Sequence, residues 1–212
     1  MPTELKIQGF CLGDWQTNCY VAHPAGSTDC WIIDAGFGPE PMIDSIEAGG
    51  LDPKLLVLTH AHVDHIAGAN TIRQRWPQLP IVIHEAEAEF LSRPELNLSA
   101  GVGLRITAPP ADQLLNHGDT LTLGDLNFEV RHTPGHSPGG VCIYQADNAV
   151  AFTGDTLFHD SIGRYDFPTS DGEALMRSIH EQLMTLPDPT RLYPGHMQPT
   201  TVGRERQMNP FL

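Results

Sequence analysis

Short apolar runs separated by glycine, proline and aspartate set the rhythm of this chain. Residues 5–10, 19–22 and 30–33 predict strands, the last ending at Asp34-Ala35-Gly36. Over residues 39–48, Met42, Ile43 and Ile46 recur at helical spacing, and Gly49-Gly50 supplies a stop. Leu55-Leu56-Val57-Leu58 is a continuous apolar run that predicts a strand covered on both faces. A helix over 66–76, a strand over 81–83 and a helix over 85–91 follow. The second half predicts strands at 120–123, 128–131, 141–144 and 149–152, then a helix over 172–186 and a strand at 191–193. Strands then helices, twice over, predict an α/β protein of layered αββα type, two mixed sheets flanked by helices.

At 212 residues the chain is long enough for a substantial core, and no linker or repeat divides it, so residues 1–212 are expected to form one domain. The formal charge of −14 disfavours a nucleic-acid partner, because such a surface repels phosphate backbones. No run of eighteen apolar residues predicts a membrane span, and no signal-like start is visible. The expectation is a cytoplasmic protein without a membrane partner. Cys11, Cys19, Cys30 and Cys142 show no paired spacing and are expected to be reduced and buried. The composition is unusual in its eleven histidines, nearly as many as the 12 lysines and arginines.

The histidines are not scattered. Thr59-His60-Ala61-His62-Val63-Asp64-His65 follows directly on an apolar strand. In an extended segment His60, His62 and Asp64 would share one side, with His65 at the mouth of the next helix. His132-Thr133-Pro134-Gly135-His136 places a histidine after a Pro-Gly turn, in which proline fixes one dihedral and glycine permits a tight reversal. Thr153-Gly154-Asp155 ends another apolar strand, and Tyr193-Pro194-Gly195-His196 repeats the strand, turn and histidine pattern. Four strand-end loops each offering donor side chains point to one shared metal site.

The donors are His60, His62, His65, His136 and His196 with Asp64 and Asp155, and no cysteine among them. That is more than the four ligands of a structural zinc site, and it suits two divalent ions sharing a carboxylate and a water. Imidazole accepts zinc, iron or nickel, and carboxylate adds manganese. Zinc is the first expectation for the two ions, with iron or manganese as alternatives.

The motifs HAHVDH, HTPGHS, TGDTLF and YPGH occur in the order and context of the metallo-β-lactamase superfamily, which the chain resembles from Thr17 onward. The resemblance implies an αββα sandwich with the site at one edge of the sheets. It implies that His60, His62 and His136 hold one ion, that Asp64, His65 and His196 hold a second, and that Asp155 bridges them. A carboxylate at position 155, where zinc β-lactamases place a cysteine, speaks against drug hydrolysis. His62, where flavodiiron relatives carry glutamate, speaks against dioxygen reduction with a flavin partner.

The stretch Thr153-Gly154-Asp155-Thr156-Leu157-Phe158 through Gly163-Arg164-Tyr165-Asp166 looks like the glyoxalase II and persulfide dioxygenase branch, and residues 200–212 resemble a small bacterial glyoxalase II (hydroxyacylglutathione hydrolase). This implies a dinuclear thioesterase that converts S-D-lactoylglutathione to D-lactate and glutathione. Asp64 would orient the nucleophile, and Arg164 would meet the anionic tail of a glutathione conjugate. Arg164 is the only lysine or arginine between His132 and Met176; pairing with Asp160 or Asp166 on the surface is the competing role. The alternatives are a mononuclear-iron persulfide dioxygenase using His60, His136 and Asp155, or hydrolysis of another ester, lactone or phosphoester. Oligomeric state is not legible. Of the remaining histidines, His84 is expected to support the site or the core, His117 to sit in a turn, and His23, His159 and His180 to lie at the surface, with His159 near a substrate path. Trp15, Trp31 and Trp76 are expected in the core or at its rim.

Overall fold

The computed structural model describes residues 3–212. Six strands form the first sheet in sequential order: β1 (Leu5–Leu12), β2 (Thr17–Pro24), β3 (Asp29–Ile33), β4 (Asp52–Val57), β5 (Ile81–His84) and β6 (Gln113–Leu115). The first three pair antiparallel, and β3 to β6 pair parallel. The second sheet uses β7 (Thr120–Leu123), β8 (Leu126–His132), β9 (Val141–Gln145), β10 (Val150–Gly154), β13 (Arg191–Pro194) and β14 (Thr200–Thr201). Its order is β14-β13-β10-β9-β8-β7, and a separate small hairpin joins β11 (Leu157–Phe158) to β12 (Ser161–Ile162). Helices α1 (Glu40–Ala48), α2 (Val63–Ile66) and α3 (Ala69–Arg75) belong to the first half, and α4 (Gly172–Ser178) and α5 (Val202–Met208) to the second.

Strand alternation explains the layers. In β3, Trp31 and Ile33 face the second sheet while Cys30 and Ile32 face the helices; in β4, Val57 and Leu56 divide in the same way. The inter-sheet core includes Trp31 against Phe128, ring centroids 4.6 Å apart, together with Val82, Ile143 and Phe152. Met42, Ile46, Ile66 and Ile72 cover the outer face of the first sheet. Leu175, Ile179, Leu183 and Val202 cover Cys142, Ala151 and Leu192 on the second. The two mixed sheets flanked by helices form the expected αββα sandwich.

Several elements depart from expectation. The helix expected over 66–76 is two pieces, because the chain after β3 docks into the break: the Ala35 N–H donates to the His65 carbonyl and the Gly68 N–H to the Ala35 carbonyl, each 2.8 Å. A side chain on Gly68 would meet the Gly36 carbonyl oxygen at 2.4 Å, so the close approach requires glycine. Glu85–Ser92 winds as a 3-10 helix, with His84 Nδ1 accepting the Ala86 N–H at its start. The helix after 172 changes to a wider π turn at Ile179–Leu183. Strands β6, β11, β12 and β14 and helix α5 are additions, mostly elements too short to give a periodic signal. Cys19, Cys30 and Cys142 are buried and free as expected, but Cys11 is free and exposed, on the solvent side of β1. Trp31 is buried, Trp76 half-buried and Trp15 exposed.

Candidate metal centre

All four donor loops leave the carboxyl ends of strands. The His60 loop follows β4, His136 follows β8, Asp155 follows β10 and His196 follows β13. Because β10 and β13 run parallel, and β8 is antiparallel to β9, which is antiparallel to β10, the last three loops must emerge at one edge of their sheet. Open α/β sheets gather their ligand sites at such edges.

The fold brings all seven donor side chains together. Compact trios form from His60, His62 and His136, from Asp64, His65 and His196, and from His60, His65 and Asp155. His60 and His62 lie on extended chain, but helix α2 begins at Val63, so Asp64 does not share their side as simple alternation predicts. The helical turn swings Asp64 toward His65 and His196 instead. Their separations are informative. Asp64 Oδ2 lies 3.2 Å from His196 Nε2 and 3.5 Å from His65 Nε2. Asp155 Oδ1 lies 3.4 Å from His65 Nε2, while its Oδ2 lies 3.4 Å from the Nε2 atoms of both His136 and His196. Two ligands of a tetrahedral zinc with bonds near 2.0–2.1 Å stand about 3.3–3.4 Å apart, so the donor spacing is that of groups sharing a cation.

Partners orient three of the rings through Nδ1, those of His60, His65 and His136. Asp34, directly after β3, accepts the Thr59 N–H at 2.7 Å and hydrogen bonds from Thr59 Oγ1 and His65 Nδ1, each 2.8 Å. His65 therefore presents Nε2 to the cluster. His136 Nδ1 donates to the Arg164 carbonyl at 2.8 Å and likewise turns Nε2 inward. His60 Nδ1 lies 3.2 Å from Thr59 Oγ1. Among the described residues, His60 Nε2, His65 Nε2 and Asp155 Oδ1 are buried without a hydrogen-bond partner. Such atoms are costly to bury unless something else binds them, and a divalent cation is what this donor set fits.

Further residues hold the loops. Glu87 is completely buried; its carboxylate accepts the Ala61 N–H, between His60 and His62, and the Gly139 N–H at 2.7 Å, on the His136 loop. Thr17 Oγ1 donates to Asp64 Oδ2 at 2.8 Å. Gly195 is required by proximity, since a Cβ there would stand 2.2 Å from Asp155 Oδ1 and 2.6 Å from His65 Cε1. Gly135 takes the tight reversal expected of it, at φ +138°.

Electrostatics split the donors. Burial pushes His60 and His136 down and His62 down to about 3, with neighbouring rings adding to the effect on His60 and His62. Burial also opposes charge on His196 and Asp64. Hydrogen bonds that the His196 ring donates to the carboxylates of Asp155 and Asp64 outweigh it and raise His196 to about 9, while His65 and His196 bring Asp64 to about 2.

A cavity of about 330 Å³ opens over the donors, lined by Trp15, Val63, Leu98, Val102, Phe158 and Phe167 besides the donors and Arg164. Arg164 lies on its rim and combines both expected surroundings. Its guanidinium makes two 2.9 Å bonds to Asp166 and stacks over Phe167, 4.4 Å from the ring centroid. His84 is buried and stacks on His132, centroids 3.9 Å apart. His117 Nδ1 accepts the His132 N–H. His159 faces Asp160 and does not line the cavity. Among the described residues no helix is long and apolar enough to cross a membrane.

Residues 12–196 match the family model described as "Metallo-beta-lactamase superfamily". The chain belongs to the metallo-β-lactamase superfamily. A curated relative, "Hydroxyacylglutathione hydrolase GloC" of Haemophilus influenzae, is 40% identical over 184 residues, covering 85% of this chain and 86% of that one. A structure described as BLEG-1 B3 metallo-β-lactamase is 40% identical, with a TM-score of 0.93 over 98% of this chain and 99% of that one. TTHA1623 in a di-iron-bound form is 36% identical, with a TM-score of 0.86 over 97% and 100% of the two chains. Family membership and the donor clusters together support a metal-dependent hydrolase with candidate dinuclear sites.

Proposed function

We propose that this chain is a glyoxalase II-like thioesterase that cleaves S-D-lactoylglutathione to D-lactate and glutathione. The observation that carries the reading is Asp155, whose two oxygens reach donors of both trios at 3.4 Å. His60, His62 and His136 would hold one ion, Asp64, His65 and His196 the second, and Asp155 would bridge. Bound there, the ions supply Lewis acidity and lower the pKa of water enough to give hydroxide near neutral pH. Asp64, fixed by Thr17, orients the nucleophilic water. Phe167, edge-on to His62 at 5.3 Å and to His136 at 5.7 Å, walls the pocket and excludes bulk water. Arg164 at the rim meets a carboxylate of the thiol half, weakened in that role by its pairing with Asp166.

The 40% identity to a hydroxyacylglutathione hydrolase supports the thioester reading. The equal identity to a protein described as a B3 metallo-β-lactamase favours β-lactam hydrolysis as the second reading, despite the carboxylate at position 155. The deciding experiment measures metal content by mass spectrometry and turnover of S-D-lactoylglutathione, a β-lactam and glutathione persulfide by the same preparation. Two ions per chain with thioester turnover is the expected result. β-Lactam turnover alone supports the second reading, and one iron with oxygen consumption overturns both.

A further inference from the structure

The loop on one side of the cavity is built around two apolar side chains, and its construction is costly. Asn97 is fully buried, and its Nδ2 donates to the Phe90 and Ile106 carbonyls, each at 3.0 Å. Its own carbonyl accepts the Val63 N–H at 2.9 Å, which ties this loop to the start of α2 and so to the donor segment. The next residue, Leu98, is held at φ +70°, a left-handed conformation that a branched side chain rarely adopts. Ser99 locks the far side, its N–H bonded to Asn97 Oδ1 at 3.1 Å and its Oγ accepting the Ile106 N–H at 3.1 Å. The strained backbone turns Leu98 into the cavity lining, beside Val102, which is 54% exposed. Trp15, 41% exposed, lines the same cavity.

Outside the donors, the described residues that line the cavity supply no unpaired cationic side chain to balance this apolar wall. The one cationic side chain among them, Arg164, already carries the two-bond pairing to Asp166. The chain as a whole carries −14, which repels a polyphosphate carrier such as a coenzyme A thioester. Resting on the thioesterase reading, we propose that the cavity receives an apolar acyl group, and that Leu98 and Val102 make short alkanoyl thioesters better substrates than the hydroxylated lactoyl thioester. In the reaction, the oxygen of water bonds to the acyl carbon and the carbon–sulfur bond breaks; the departing thiolate takes one proton of the water, the other is released to solvent, and a carboxylate and a thiol leave.

The test uses the metal-loaded full chain with the S-acetyl, S-butanoyl, S-hexanoyl and S-D-lactoyl thioesters of one thiol, glutathione. The kcat/KM is expected to rise with acyl length by up to about fourfold per methylene, the factor for transferring one such group out of water. Leu98→Ala and Val102→Ser should each flatten that rise while metal content and circular dichroism stay as in the parent. Val102→Ser, at an exposed position, keeps the test informative if Leu98→Ala fails to fold. A flat or falling dependence on acyl length, or a rise unchanged in both variants, overturns the proposal while thioester cleavage stands. No cleavage of any of the four thioesters overturns the thioesterase reading and the proposal with it.

Discussion

The two donor trios, some ångströms apart, are prepared for a cation in opposite ways. His60, His62 and His136 form a neutral group: burial pushes all three down, so they offer lone pairs at neutral pH without first losing a proton. Asp64, His65 and His196 form a charged group, in which burial opposes charge but the carboxylates of Asp64 and Asp155 outweigh it, favouring the protonated rings of His65 and His196 (raised to about 9). The supports differ in kind as well. Glu87 braces the neutral trio through main-chain N–H groups, whereas Asp34 and Thr17 touch side chains of the charged trio directly. The lesson is that one site can bind by simple association, and its neighbour must exchange protons for metal.

The most severe way to break this contrast is to remove the group common to both sides. Asp155→Asn should lower metal affinity at both trios and reduce hydrolysis by at least on the order of a hundredfold, the upper range for losing a ligand's supporting partner. Competition with a chelator and turnover assays measure the two effects, and a variant that still retains two ions would refute the bridging role. Glu87→Ala should act on one side only. It leaves the Ala61 and Gly139 N–H groups without their acceptor and should weaken the His60, His62 and His136 trio by roughly ten- to a hundredfold. Metal titration of the variant should show one altered and one unaltered site.

The mildest test sharpens the contrast without mutation. A cation replacing the proton on His196 competes with it below about pH 9, so affinity at that trio rises with pH. Each unit from pH 6 to 8 should strengthen it by about tenfold for each displaced proton, with His65 adding to the His196 slope in the same direction. His62, already deprotonated above about pH 3, should contribute no such slope at its own trio. Calorimetric titrations in buffers of different ionisation enthalpy report the protons released, and equal slopes at the two sites would dissolve the distinction.

The seven donors were legible because histidines stand out after apolar strands, and Pro-Gly turns mark where two of them are presented. Their supports were not. Asp34 occurs in an ordinary strand-end Asp-Ala-Gly, and nothing local reveals that its carboxylate reaches residues 25 and 31 positions away. Glu87 sits among Glu85 and Glu89, both at least partly exposed, and only its spacing to the buried Phe90 and Leu91 hints that it turns inward. The sandwich was readable from continuous apolar runs such as residues 30–33 and 55–58, which mark strands covered on both faces. The divided helix after His65 was hidden because its break is imposed by a distant strand end docking at Gly68.

The first hairpin grips the last donor loop: the Asn18 N–H donates to the Gly195 carbonyl and the Tyr20 hydroxyl to the Pro194 carbonyl, each at 2.7 Å. During synthesis, the opening hairpin must therefore wait for nearly all of the intervening polypeptide before it can clasp its partner. Metal captured by early histidines would be held by an unfinished cage, and only arrival of the YPGH turn closes it. Assembly of the donor set thus waits for synthesis through His196, and a completed site would report that segments 174 positions apart have met.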